Sequence, residues 1–178
     1  MGDFVKGKDY ESYPALVKAG VLLHREIDSY TDKHPIVRES KNRLKDKYRH
    51  YAGVIVDVFY DHFLANHFGE FCDDQLNEFV EHHYQNLEDH FDLLPPRAQG
   101  MLPYMIRGNW LVNYKETRGI QKSLQGMSRR TKFDSKMDES IMELVQYHDE
   151  FESEFLAFFP QIIDHANQFR EDLLNSHS

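Results

Sequence analysis

Apolar residues recur along this chain at helical rather than strand spacing. Leu16, Val17, Gly20, Val21, Leu23 and Ile27 form one stripe behind Pro14, a residue suited to the first turn of a helix. Pro35 opens a second helix in the same way. The third segment, Ala52 to His67, is apolar on most sides through Val54, Ile55, Val56, Val58, Phe59, Phe63 and Leu64, the pattern of a central buried helix. Asp73 and Asp74 are good caps and predict a fourth helix running to about His90. Pro95 and Pro96 mark a break. Shorter helical pieces are expected over Met101–Tyr114 and Glu116–Gly126. A long helix from Ser135 or Asp138 should reach about Phe158, and Pro160 should open or kink the last one. No stretch alternates with period two, and no repeat or low-complexity linker interrupts the pattern. These features predict an all-α, compact, single-domain helical bundle over residues 1–178.

Composition narrows the picture. With 40% apolar and 13% aromatic residues in 178, the chain should fold around a real core. The single cysteine, Cys72, excludes an internal disulfide and any zinc site built on several cysteines. No signal-like segment and no membrane-length apolar run is visible, so a soluble, cytoplasmic protein is expected. The net charge of −9 argues against nonspecific nucleic-acid binding. That charge is unevenly spread. Arg38, Lys41, Arg43, Lys45, Lys47 and Arg49 form one basic stretch, and Lys115, Arg118, Lys122, Arg129, Arg130 and Lys132 form another. Each reads either as a solvated helix face or as a surface that selects an anionic partner.

The candidate chemistry lies in the first and third helices. His24, Asp28 and Asp32 follow one another at four-residue intervals, as do Asp57 and Asp61. Such residues share one helix face. His62 follows Asp61 directly, about 100° further around a helix. Imidazole with carboxylate suits Mn, Fe, Zn or Mg. Several carboxylates inside apolar runs repel one another unless a positive charge lies between them. A metal-centred site is therefore the leading hypothesis. The structural alternative pairs His24 with Asp28 on an ordinary face and makes His62 a core histidine.

Other features carry less. His67, five residues past His62, is at most a supporting group, and His148–Asp149 reads as a solvated face. His82, His83 and His90 read as surface, and Tyr60 and Trp110 as core. Arg129 and Arg130 have the geometry to grip phosphate, or serve solubility. No GxSxG, P-loop or dinucleotide fingerprint is present.

The strings GDFVKG, HREID-x3-D, DVFYDHFLA-x-H, NWLVNY, GMSRR and EFLAFFP occur in order along nearly the whole chain. Together they resemble the acyl carrier protein phosphodiesterase family, a divergent branch of the HD-type metal-dependent phosphohydrolases. The resemblance implies an HD-like helical fold. It also implies hydrolytic removal of the 4′-phosphopantetheine arm from holo acyl carrier protein, a reaction of lipid metabolism and fatty acid biosynthesis. It places metal ligands on Asp3, His24, Asp28, Asp61 and His62, with Asp32 and Asp57 as additions. Catalytic roles fall on Asp28, Asp61 and His62. Mn²⁺ or Mg²⁺ is the implied ion, with iron and zinc as alternatives. The central doublet reads Asp-His where the wider superfamily reads His-Asp. Family members also carry an Asn-Phe-Leu-Ala-His-like segment upstream of GDFVKG, which this sequence is expected to lack. Arg129 and Arg130 are expected to dock the acidic carrier. Two rival readings share parts of this picture. One is an HD-like phosphohydrolase of small nucleotides or phosphoesters, and the other is a non-catalytic carrier-binding module.

Overall fold

The computed structural model describes residues 4–175, and the expected ligand Asp3 lies outside them. The fold is all-α, with no strand among the described residues. Ten helices follow in order among those residues: α1 (Ala15–Lys33), α2 (Pro35–Tyr48), α3 (Ala52–Asn66), α4 (Phe68–Phe71), α5 (Leu76–Asp89), α6 (Pro96–Gly108), α7 (Trp110–Asn113), α8 (Thr117–Ser128), α9 (Ile141–Gln146) and α10 (His148–Asn175). None of the described helices is long and apolar enough to cross a membrane.

The near-continuous apolar run of α3 puts it at the centre. Ile55, Val56, Phe59 and Phe63 are fully buried there. They pack with Val37, Leu44 and Tyr48 of α2, Ile120 and Leu124 of α8, and Phe151, Phe155 and Phe158 of α10. A second cluster forms around Ala65 at the end of α3, with Phe68, Val80, Tyr84 and Leu102 from α4, α5 and α6. Leu64 and Tyr114 pack against both clusters and join them. By contrast α1 buries only Val21 completely and lies over α10 as an outer layer.

One polar network ties α2 to α10. Arg43 grips Glu154 with both guanidinium nitrogens, at 2.8 and 2.7 Å. Ser40 also donates to Glu154 and shares a 2.8 Å hydrogen bond with the Tyr60 hydroxyl. A bidentate guanidinium–carboxylate pair fixes orientation as well as charge. It holds α10 at one rotation relative to α2 and α3.

Four boundaries differ from the sequence expectation. The expected long helix from Ser135 or Asp138 breaks at Tyr147 (φ −116°, ψ 32°), leaving a 3-10 turn at Met137–Glu139, then α9, then α10. Pro160 does not open a helix but lies inside α10. Its missing N–H removes one backbone bond, while Phe155, Phe158 and Ile162 on either side anchor the helix to the core. The Met101–Tyr114 piece starts earlier, at Pro96, and is cut at Asn109, a left-handed residue with φ 42° and ψ 52°. Asn tolerates that conformation better than most residues. The fourth expected helix begins at Leu76, past Asp73 and Asp74.

Candidate functional site

Three helices enclose a cavity of about 420 Å³. From α1 come Asp28, Thr31 and Asp32, and from α3 come Asp57, Tyr60 and Asp61. The four-residue spacing explains why each pair of aspartates reaches the same space. The opposite wall is apolar: Phe155, Phe158, Phe159 and Ile162 of α10, at helical spacing. Four carboxylates therefore meet an aromatic wall in one hollow.

The inner end is electrostatically costly. Asp61 is open to the cavity yet closely walled by protein. Burial, and then the Asp57 carboxylate one turn earlier, push its carboxyl up to about 7. The outer carboxylates have cationic or imidazole neighbours. Asp32 accepts a 2.7 Å bond from Lys41 of α2, and Asp28 lies 3.4 Å from the His24 imidazole. His24 thus stands behind Asp28 and does not line the cavity.

This donor set suits a hard divalent ion. Oxygen ligands select Mg or Mn over softer metals, and a cation would offset the cost of ionising Asp61. The aspartates ring the space without converging on one point. Among the described residues, the set whose ligand atoms all lie within 4.8 Å of one another is His148, Asp149 and Glu152. A ring of spaced carboxylates matches an ion that keeps several waters and binds through one or two carboxylates plus substrate phosphate. The His148 cluster is a poorer candidate. The Asp149 side chain is exposed and that of His148 half-exposed, as the sequence suggested, and Glu152 already accepts a 2.7 Å bond from His67. His67 in turn holds Glu70 at 2.6 Å, and those two carboxylates, Glu70 foremost, raise its pKa.

His62 is placed apart from the aspartates. It is buried, and its Nδ1–H donates to the Tyr114 carbonyl at 2.6 Å. Burial lowers its pKa and favours the neutral ring. The doublet is divided because neighbouring helix positions point about 100° apart. Asp61 enters the cavity, while His62 pins the α7–α8 junction. Arg129 and Arg130 are both exposed just past α8. Arg130 lines a separate hollow of about 760 Å³ beside α7 and α8. The sequence reading missed the α10 wall and assigned Tyr60 to the core alone. The positions 155, 158, 159 and 162 carried the signal, since they form a helical stripe of large apolar residues.

The family model described as acyl carrier protein phosphodiesterase matches residues 1–162. The chain belongs to this family. A relative of that name from Photorhabdus laumondii subsp. laumondii is 31% identical over 167 residues, covering 93% of this chain and 84% of its own. Relatives of the same name from Escherichia coli are 35% identical over 170 residues, covering 94% of this chain and 88% of theirs. No solved structure is significantly similar to the chain. The family match spans every wall of the carboxylate cavity, from Asp28 on α1 to Ile162 on α10.

Proposed function

We propose that this protein is a hydrolase of the phosphodiester joining 4′-phosphopantetheine to a serine of acyl carrier protein. The products are apo carrier and free 4′-phosphopantetheine. Family membership supports the reaction, and the carboxylate-lined cavity is the observation that supports its place. The residues fit a divalent ion, with Mn²⁺ or Mg²⁺ held by Asp28, Asp57 and Asp61. When bound, such an ion supplies positive charge for the phosphoryl oxygens and lowers the pKa of water.

The chain's own groups do the rest. Carboxylates enter from two helices, so one that is not engaged by the ion can take a proton from water or return one to the serine oxygen. His24 holds Asp28 in place at 3.4 Å. The aromatic α10 wall limits water and offers apolar contact to the arm.

Intact-mass analysis of holo acyl carrier protein tests the proposal directly. Incubation with this protein and Mn²⁺ should remove the mass of phosphopantetheine, and a chelator should prevent it. An unchanged carrier mass with Mn²⁺, or small diesters cleaved as readily as holo carrier, would overturn the reading.

Carrier docking falls to Arg129 and Arg130. Half of the first basic stretch is engaged within the fold, with Lys41 on Asp32, Arg43 on Glu154, and Lys47 on Glu139 and Glu143. Neither Arg129 nor Arg130 is in an ion pair among the described residues. Replacing both with Ala should weaken carrier binding about tenfold at low salt, and less at high salt where charges are screened. Titrations at two salt concentrations check this. Equal affinities for the two proteins at both would assign docking elsewhere.

A further inference from the structure

The larger hollow, about 760 Å³, lies beside α7 and α8, and the function proposed above uses only Arg130 at its rim, for docking. Its size falls within the range of small-molecule sites. Arg118, Lys122 and Arg130 line it, against a single carboxylate, Glu116. None of the three cations is in an ion pair among the described residues, in contrast to Lys41, Arg43 and Lys47 of α2. The charges are ordered by the helix. Arg118, Lys122 and Gly126 stand one turn apart on α8, and Arg130 lies in the turn just past its end. Arg118 and Lys122 are about 6 Å apart along the axis, a spacing at which two long cationic side chains can close on one phosphate.

The next position in the series is open. A Cβ on Gly126 would meet nothing within 4 Å, so the floor beyond the two cations is free backbone surface. Trp110 and Met127 supply flat and apolar walls there. At Gly119 the reverse holds. A Cβ there would lie 1.9 Å from the Asn113 carbonyl oxygen, so α8 closes directly onto the end of α7, and both residues line the hollow. A phosphate group is repelled by the four aspartates of the other cavity unless a cation is present, and here it meets an excess of positive charge.

We propose that this hollow is a second ligand site, for a small organic phosphate ester. Its phosphate lies between Arg118 and Lys122, and its organic part lies over Gly126 against Trp110 and Met127. No metal is needed. Two sources share this chemistry: the phosphopantetheine released by the reaction, and a nucleotide. The first source rests on the proposed reaction, whereas the site itself does not.

Trp110 is the only tryptophan of the chain, so its fluorescence reports this hollow. The full-length protein is titrated in chelator with 4′-phosphopantetheine, adenosine 5′-monophosphate and inorganic phosphate. At least one ester should change the emission saturably and bind more tightly than inorganic phosphate. The tighter of the two esters names the source. Arg118→Ala with Lys122→Ala should weaken binding at least tenfold. Gly126→Leu should fill the floor and abolish binding without lowering the melting temperature, since Leu is the better helix former. Asp61→Asn should bind the ester as the native protein does, which separates this site from the reacting cavity. No saturable change with either ester would overturn the proposal. So would inorganic phosphate binding as tightly as both, or an affinity unmoved by the Arg118/Lys122 double substitution.

Discussion

Asp61→Asn is expected to reduce hydrolysis of holo carrier by at least about a hundredfold, the lower range for losing a positioned proton-transfer or charge-bearing group. The same substitution should leave the helices intact and raise the metal-free protein's melting temperature above about pH 7. The reason is the cost of ionising Asp61 beside Asp57 in the carboxylate-lined cavity, a cost softened by the solvent that reaches its exposed side chain. Its carboxyl stands at about 7, against an ordinary value of 3.8. A raised carboxyl costs nothing while both folded and unfolded chains are protonated. Stability is then lost as the pH climbs from about 4 to about 7, and the loss is complete above that. The amide of Asn has no such loss, so the variant's advantage should be absent at pH 4 and full at pH 8. Mn²⁺ should act with the opposite partner. Protons compete with it for the carboxylate, so its stabilisation of the native protein should grow as the pH rises through 7. Thermal melts at pH 4 and pH 8, with and without Mn²⁺, read both effects beside the carrier mass assay. A variant that still turns over carrier removes Asp61 from the site. One that melts below the native protein at pH 8 shows that its ionisation is not strained.

Phe155→Ala should cost about 3–5 kcal/mol of stability, the range for deleting a buried aromatic ring. Phe155 is 1% exposed and touches four other rings, with centroids 5.0 Å from Phe159, 5.6 Å from Tyr60, and 6.1 Å from Phe63 and Phe71. Tyr60 also bonds Ser40, so the ring supports the polar network that orients α10. Phe155 is at the same time part of the cavity wall, so turnover should fall even at temperatures where the variant remains folded. Phe155→Leu keeps much of the apolar volume and should lie between the two. Urea unfolding of the three proteins gives the order. A loss below about 1 kcal/mol for the Ala variant would mean that α10 does not pack on α3 through this ring.

The helical class was legible because 3.6-residue periodicity is a local property, and α1, α2 and α3 each carry it within a few turns. The aspartate pairs were legible for the same reason: four-residue spacing on one helix guarantees a shared face. The limits appear where two distant segments meet. Nothing local tells α1 that its aspartates will face the phenylalanines of α10, yet that contact closes the cavity. His62 looked like a ligand because it adjoins Asp61, but the direction of a side chain depends on what surrounds the helix. Its Nδ1–H donates to the Tyr114 carbonyl, and His62 does not line the cavity that Asp61 enters. The break at Tyr147 and the run of α10 through Pro160 are also decided by packing, which outweighed local propensity at both places.

The two basic stretches make the division plain. By itself the sequence determined an all-α chain, a central apolar helix, the two aspartate pairs and two clusters of cations, each set by spacing along one segment. Tertiary structure alone decided that Lys41, Arg43 and Lys47 of α2 would be spent on Asp32, Glu154 and Glu143, while Arg118, Lys122 and Arg130 would face an open hollow. Spacing fixes which residues share a face, but a charge finds its partner only when another helix arrives beside it.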